Sequence, residues 1–542
     1  MRPKFRMILG LAGAIVSLAP FSYSATVTGN VKGPGGAPFK GAFVEAQNTK
    51  TRITVNVLSD KDGRYRVDNL PAGDYTLRIR AIGYTSDPRN GVTLTDTQKA
   101  SFDWALQTGP VRWSDLSFYE GDNLLPDGKG KLLIEDHCLE CHSFQTKMVG
   151  VRRDQEGWTQ AVSFMRTAMH YRLPNVTDDD AAVIASYLNS AFGTDSKLPR
   201  NVADIPEYKK FVHGPFPDEA MKIVYVSYEM PGPDRMPFSA APDNKGSVWI
   251  PYWSLSDSIG KLDPNTGEIK EFHVPAQGTV SIHSAVPGPD GSVWIEEQAT
   301  NRVGKWDPKT QQITEYQDSY LPGKEGLQAG GSKHTARVDS QGNVWSSGGP
   351  LTELDPTTGK FKHFEVQPYG IAVAPDNTLW FAEFSAKGKI GKVDPETGKV
   401  TKYAVPTANA YPRRIQVAPD GTIWFAEFGI SSSGGVKYAE GITGGGKIGQ
   451  FDPKTETFKE YPLPGPSPSP YAFNMDKKGR LWYSNMHQDL VGCLDPKTGQ
   501  VVEYPLPFSE NTMREFFLDD QGRMWWGSPS NNKVGYFYIA SN

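Results

Sequence analysis

The sequence predicts a mainly β, multidomain protein: an N-terminal β-sandwich, a small α-helical domain and a C-terminal seven-bladed β-propeller. Three observations lead there. From Thr26 to Gln107 apolar and polar residues alternate between turn signals; around Trp158 the apolar period lengthens to that of a helix; and beyond Met221 a tryptophan-bearing unit recurs seven times. A chain of 542 residues has room for two to four such domains.

The first residues read as a leader. Arg2, Lys4 and Arg6 precede an apolar run from Met7 to Ala19 and a small-residue site at Ser22-Tyr23-Ser24-Ala25, the pattern of a secretory signal peptide over residues 1–24. Losing those three cations takes the formal net charge from −4 to −7 and leaves no basic block, so nucleic acid is not an expected partner. No later run reaches the roughly 18 apolar residues a bilayer span needs, so no transmembrane segment is expected after cleavage.

Over 26–107, the runs Val27-Thr28-Gly29-Asn30-Val31, Ala42-Phe43-Val44-Glu45-Ala46, Gly63-Arg64-Tyr65-Arg66-Val67 and Asp74-Tyr75-Thr76-Leu77-Arg78-Ile79 are short strands punctuated by Asp-Gly and Pro-Ala-Gly turns. The phrases Asp62-Gly63-x-Tyr65 and Leu70-Pro71-Ala72-Gly73-Asp74-Tyr75 resemble the carboxypeptidase regulatory-like, or transthyretin-like, domain. The resemblance implies a structural or adhesive module, and no convergent polar cluster here argues otherwise.

Over 113–195 the pattern is helical. Trp158, Val162, Met165 and Met169 share one face at i, i+4, i+7 and i+11, and Thr177 caps a further helix whose Ile184, Tyr187 and Leu188 face inward. A helix leads into Cys138-Leu139-Glu140-Cys141-His142, the spacing at which two thiols attach haem while the adjacent imidazole ligates iron. A thioredoxin-like dithiol, a zinc site and a short-range disulfide are the alternatives; Cys493 is the only further cysteine, too few for a four-thiolate cage. An export signal agrees with haem attachment outside the cytoplasm, so the expected compartment is the periplasm. The region resembles the small c-type cytochrome domains of multidomain periplasmic oxidoreductases. The resemblance implies one covalent haem c on Cys138 and Cys141, His142 as proximal ligand and Met165 as distal ligand, with Met148, Met169 and His170 as rivals.

A Pro-bearing linker, Leu198 to Asp218, leads to the propeller, residues 221–542. Trp249, Trp294, Trp345, Trp380, Trp424, Trp482 and Trp525 recur at intervals of 35 to 58 residues, each after a turn such as Pro-Asp-Gly. After six of them comes Asp-Pro, at Asp263, Asp307, Asp355, Asp394, Asp452 and Asp495, usually within Asp-Pro-x-Thr-Gly, a hairpin turn in which Asp caps the backbone and Gly takes positive φ. Four strands per unit make seven blades. The last unit stops one strand short at Tyr538, and Lys222-Ile223-Val224-Tyr225-Val226 is expected to complete it and close the ring.

In each blade the start of the inner strand and the residue three past the tryptophan are expected at one mouth of the central channel. The strand starts are Phe238, His283, His334, Tyr369, Arg413, Tyr471 and Arg514; the return positions are Tyr252, Glu297, Gly348, Glu383, Glu427, Asn485 and Ser528. Such a rim could bind a metal or an anionic or hydroxylated substrate. This region resembles the streptogramin B lyase (virginiamycin B lyase) family in Pro368-Tyr369-Gly370-Ile371, Trp380-Phe381-Ala382-Glu383 and Lys389-Ile390-Gly391-Lys392. The resemblance implies a magnesium-dependent elimination that opens a macrocyclic ester, with His at strand starts and Glu at strand returns; carried over, these are His283, His334, Glu297, Glu383 and Glu427. Where that family often has His, this chain has Tyr369, Arg413 and Tyr471.

The expected function is therefore a periplasmic haem c electron-transfer protein, an oxidoreductase whose substrate or second cofactor sits at a rim that includes His283, His334, Glu297, Glu383, Glu427 and Arg413. Its partners are a periplasmic electron donor or acceptor and a small-molecule substrate. The alternatives are a magnesium-dependent lyase with an accessory cytochrome and a divalent metal in the propeller, or a non-catalytic electron-transfer or binding protein. Cys493 reads as a packed core residue.

Overall fold

The computed structural model describes residues 24–138, 143–149, 151–168, 176–253, 255–318, 333–394, 396–429 and 444–540. The signal segment, Cys141, His142, Met169 and His170 lie outside the described residues.

The N-terminal region is a β-sandwich. Strand Ala25–Lys32 pairs antiparallel with Arg64–Leu70 and parallel with Lys99–Ser101, and the facing sheet runs Thr54–Leu58, Phe43–Asn48, Gly73–Arg80, Arg89–Leu94. Alternation puts Val27, Val31, Val44, Ala46, Tyr65, Val67 and Leu77 between the sheets. The Pro71-Ala72-Gly73 turn is fixed by Tyr75, whose hydroxyl donates to Pro71 O at 2.8 Å.

Five helices follow: α1 (Phe118–Leu124), α2 (Lys129–His137), α3 (Phe144–Lys147), α4 (Gln155–Ala168) and α5 (Asp178–Phe192). Thr177 caps α5 as expected: its hydroxyl accepts from Asp180 N while Asp180 answers as the other half of a capping box. Trp158, Val162, Ile184 and Leu188 are buried in one core with Trp113, Phe118, Ile134 and Phe144; Tyr187 and Met165 are half-buried. The expected linker is more ordered than its prolines suggest. It folds into short helical turns at Val202–Asp204, Tyr208–Phe211 and Asp218–Lys222, with Val202 buried and Asn201 Oδ1 accepting from Val111 N at 2.9 Å.

The C-terminal region is propeller-like. Six four-stranded antiparallel sheets follow in chain order, and a seventh is built from Phe516–Leu518, Met524–Ser528, Lys533–Ile539 and Ile223–Glu229, with the first and last sheets in contact. The closing strand is therefore Ile223–Glu229, paired from Ile223 opposite Ile539 to Glu229 opposite Lys533. The repeats have visible physical causes. In the turns before Trp345, Trp482 and Trp525, an aspartate accepts from the indole N–H, at 3.2, 3.0 and 2.8 Å. The Ile-Gly-Lys glycine on the third strand leaves room for the aromatic ring after the tryptophan: a Cβ on Gly391 would stand 2.4 Å from Phe381 Cζ.

One feature of the closure was not legible in the sequence. The outer edge of Ile223–Glu229 is not free; it pairs with Thr54–Leu58 of the sandwich, Tyr225 opposite Asn56 and Val226 opposite Val55. Sandwich and last blade thus form one eight-stranded sheet.

Candidate functional site

The seven inner-strand starts do converge. The rings of Phe238 and His283 lie 3.8 Å apart, His283 and His334 3.6 Å, and His334 and Tyr369 4.5 Å, while the hydroxyls of Tyr369 and Tyr471 touch. Arg413 places its guanidinium 4.2 Å from the Tyr471 ring, and Arg514 sits 5.6 Å from that ring and 5.7 Å from Phe238. His283 falls in a register shift between Ile282 and Ser284, a feature shared by the strand starts before Ile415 and Phe473. The expectation of an open rim is corrected: Phe238, His283, His334, Arg413, Tyr471 and Arg514 are buried against one another, and Tyr369 is half-buried.

The return positions behave differently. Glu297, Glu383 and Glu427 do not join the His and Arg cluster; each points along its blade toward the fourth strand. Thr300 Oγ1 donates to Glu297 at 2.9 Å with Glu315 and Arg302 as neighbours, Lys402 Nζ donates to Glu383 at 2.5 Å, and Glu427 faces Glu460 and Lys447. For Glu297 the third-strand glycine leaves room, since a Cβ on Gly304 would stand 3.2 Å from Glu297 Oε1. Burial, and then Glu315, pushes Glu297 up to about 8; burial, and then Glu460, does the same to Glu427.

The channel is instead walled by residues four past the tryptophan. Phe384 and Phe428 hold the Arg413 guanidinium at 4.2 and 4.0 Å, and Trp253 lies 5.5 Å from Arg514. An aromatic residue at that offset in three of the seven repeats was the available signal. Beneath the rings, Thr335 Oγ1 contacts His334 Nδ1 at 2.8 Å and accepts from Arg414 Nη1 at 2.8 Å; Arg414 Nε donates to Arg514 O, and Arg337 Nη2 donates to Glu515 at 2.7 Å. Burial pushes Glu515 up, but Arg414 and Arg337 outweigh it and hold the carboxyl below its ordinary value. The site is electropositive: Arg413, Arg414 and Arg514 all lie within 5.7 Å of the Tyr471 ring. Among the described residues no three or more His, Cys, Asp or Glu gather as a metal site.

The helical region packs over this same mouth. Tyr119 N on α1 donates to His487 O at 2.7 Å, and the His487 ring lies 5.1 Å from Phe118 and 5.7 Å from Phe428 of the channel wall. Burial and then Arg413 push His487 down to about 3. Ser143, the residue after His142, donates its N–H to Glu510 Oε1 at 2.8 Å, and Gln145 reaches Asp489 Oδ2 at 3.4 Å. Of the haem-motif residues, Cys138 is described: it ends α2, half-buried against the helical core. Met148 is buried in that core, whereas Met165 is half-buried on α4. Cys493 is buried beside Trp482 and Tyr504, its thiol pushed up to about 12 by burial.

These features define a multidomain β protein whose N-terminal sandwich is a carboxypeptidase regulatory-like domain and whose C-terminal region is a virginiamycin B lyase-like propeller. Residues 26–107 match the model of the carboxypeptidase regulatory-like domain, and residues 349–443 match that of the virginiamycin B lyase family. Among solved structures, a streptogramin B lyase is 24% identical at a TM-score of 0.50, covering 59% of this chain and 99% of its own. The virginiamycin B lyase of Staphylococcus aureus is 22% identical at a TM-score of 0.49, covering 59% and 100%. No curated protein matches the chain.

Proposed function

We propose that the protein is an exported, periplasmic haem c electron-transfer protein and that the buried channel mouth holds its small-molecule substrate or second electron-carrying group. One observation carries the reading: Ser143, the residue after His142, donates its N–H to Glu510, which lies four residues before the strand start Arg514. A helix before the motif supports it, since Phe118 of α1 meets His487, which in turn meets Phe428 of the channel wall.

The described residues fit a haem. Cys138 faces an apolar core, and in that core Trp158 keeps its indole N–H buried without a partner among the described residues, a donor suited to an acidic group entering the crevice. Cys138 and Cys141 would hold the macrocycle, His142 would ligate iron, and Met165 or the deeper Met148 would supply the distal sulfur. Bound haem supplies a one-electron carrier. The chain's part is to keep water from the mouth, orient the substrate on His283, His334 and Arg413, and offset its charge with Arg413 and Arg514. A periplasmic donor or acceptor completes the electron path.

A second reading, a lyase of the streptogramin type, is favoured by the family match over 349–443, which contains Tyr369, Glu383, Arg413 and Glu427. Against it, three guanidinium groups repel the divalent metal that chemistry would use. Anaerobic optical spectra with a panel of alcohols, amines and phenols separate the two. Reduction of the haem by a substrate supports electron transfer; substrate cleavage at an unchanged haem spectrum supports the lyase.

A further inference from the structure

Tyr369 and Tyr471 stand where the related family often has histidine, and the structure gives the pair an unusual setting. Their hydroxyl oxygens touch, so one must donate to the other. Three cations surround the inner member: the guanidinium carbons of Arg413, Arg414 and Arg514 lie 4.2, 5.7 and 5.6 Å from the Tyr471 ring. Tyr471 is buried, while Tyr369 keeps part of its surface exposed.

We propose that Tyr471 is held as a phenolate that accepts a hydrogen bond from Tyr369, and that the two form a proton relay taking the proton of a hydroxylic substrate bound at the channel mouth. The proposal rests on the reading of that mouth as the substrate site. Buried guanidinium groups within 5.7 Å of the ring lower the cost of a negative charge on its phenol, and the hydrogen bond from a second phenol lowers it further. The other ionisable neighbours do not oppose it. The His334 ring lies tilted against Tyr369 at 4.5 Å, and burial and Arg413 keep His487 neutral, whereas the nearby carboxylate of Glu515 is engaged by Arg337 and Arg414. Burial pushes the Tyr471 hydroxyl up, but Arg413, Arg514 and Arg414 outweigh it and leave it below the ordinary tyrosine value; burial and Tyr471 together raise Tyr369.

The transfer balances without any oxidant. The substrate O–H bond breaks with its electron pair left on the substrate oxygen. Its proton passes to Tyr369 Oη as the Tyr369 proton moves to Tyr471 Oη, forming a new O–H bond from the phenolate pair. The negative charge thereby shifts from Tyr471 to the substrate oxygen and stays in the field of Arg413 and Arg514. Tyr369, the more exposed member of the pair, is the group that meets the substrate.

Ultraviolet titration of tyrosinate absorbance in the purified full-length protein tests this. Expected is one tyrosinate that forms below the usual pKa of about 10, is absent from Tyr471→Phe, and persists in Tyr369→Phe with a midpoint raised by about one unit. No early tyrosinate in the wild type overturns the proposal, as does its survival in Tyr471→Phe or its loss in folded Tyr369→Phe. The signal does not depend on haem, so its absence from a haem-loaded chain rejects the phenolate alone, and its presence in a chain lacking haem leaves the phenolate standing while the electron-transfer reading fails.

Discussion

Glu383, a return position, and His334, a strand start, were both expected at one mouth yet have opposite surroundings. His334 lies in the channel between His283 and Tyr369, whereas Glu383 turns outward to Lys402 in a partly exposed ion pair, a class worth about 0–1 kcal/mol. His334→Ala should therefore lower substrate-driven haem reduction by at least about tenfold, while Glu383→Gln should stay within about twofold of wild type, both measured by stopped-flow absorbance. Strand alternation and repeat length placed the strand starts correctly in the channel. They misplaced the returning acids, because a period of two does not say which groups the neighbouring strands offer them, Lys402 for Glu383 and Glu460 with Lys447 for Glu427. The groups beneath the cluster, Thr335, Arg414 and Glu515, each directly follow a strand start, at His334, Arg413 and Arg514, but the bonds that join them run between blades and leave no signal in the spacing.

At the scale of elements, the turns were the most legible feature. In Asp-Pro-x-Thr-Gly the aspartate accepts from the backbone two residues on, as Asp355 does from Thr357 N at 2.8 Å, and Gly359 takes φ +69°. Where the repeat departs, Gln311 is forced to φ +56°. Gln311→Gly should relieve a left-handed conformation costing roughly 1–2 kcal/mol, less the entropy glycine adds to the unfolded chain, for a net gain of about 0.5–1 kcal/mol in denaturant melts. The strand Ile223–Glu229 was legible as the missing fourth strand of the last blade, but its pairing with the sandwich was not, since edge pairing between domains leaves no local signature. Deleting residues 26–107 strips the cover from this strand and exposes Val55-facing Val226 and its neighbours. That truncation should aggregate on light scattering at temperatures where the full chain stays clear, and Tyr225→Ala, which empties a fully buried site, should cost about 3–5 kcal/mol.

At the scale of the whole molecule, two titrating contacts hold the helical region and its linker on the propeller. Burial pushes Asp489, which meets Gln145, up to about 7 from an ordinary 3.8, so between those values the unfolded chain is ionised while the folded one keeps its proton, and stability falls as pH rises. His213 is raised above 6.5 chiefly by Glu503, so its contribution is full below that pH and is lost as pH rises through its folded value. Both act in one direction: docking should loosen from pH 5 to pH 8, seen as faster proteolysis at 198–218, with a weaker dependence in Asp489→Asn. The composition and the repeat mark out the three regions, but their arrangement, with Ser143 bonded to Glu510 of the propeller, depends on contacts between distant parts of the chain and was not foreseeable from spacing.

The central claim joins the Cys138-Leu139-Glu140-Cys141-His142 motif to that mouth as an electron carrier. A haemochrome assay on protein made with a working cytochrome-maturation system tests it most directly. One covalent haem per chain, retained under denaturing conditions and lost when Cys138 and Cys141 are both changed to Ala, is the predicted result. Folded protein from that system carrying no covalent haem would contradict it.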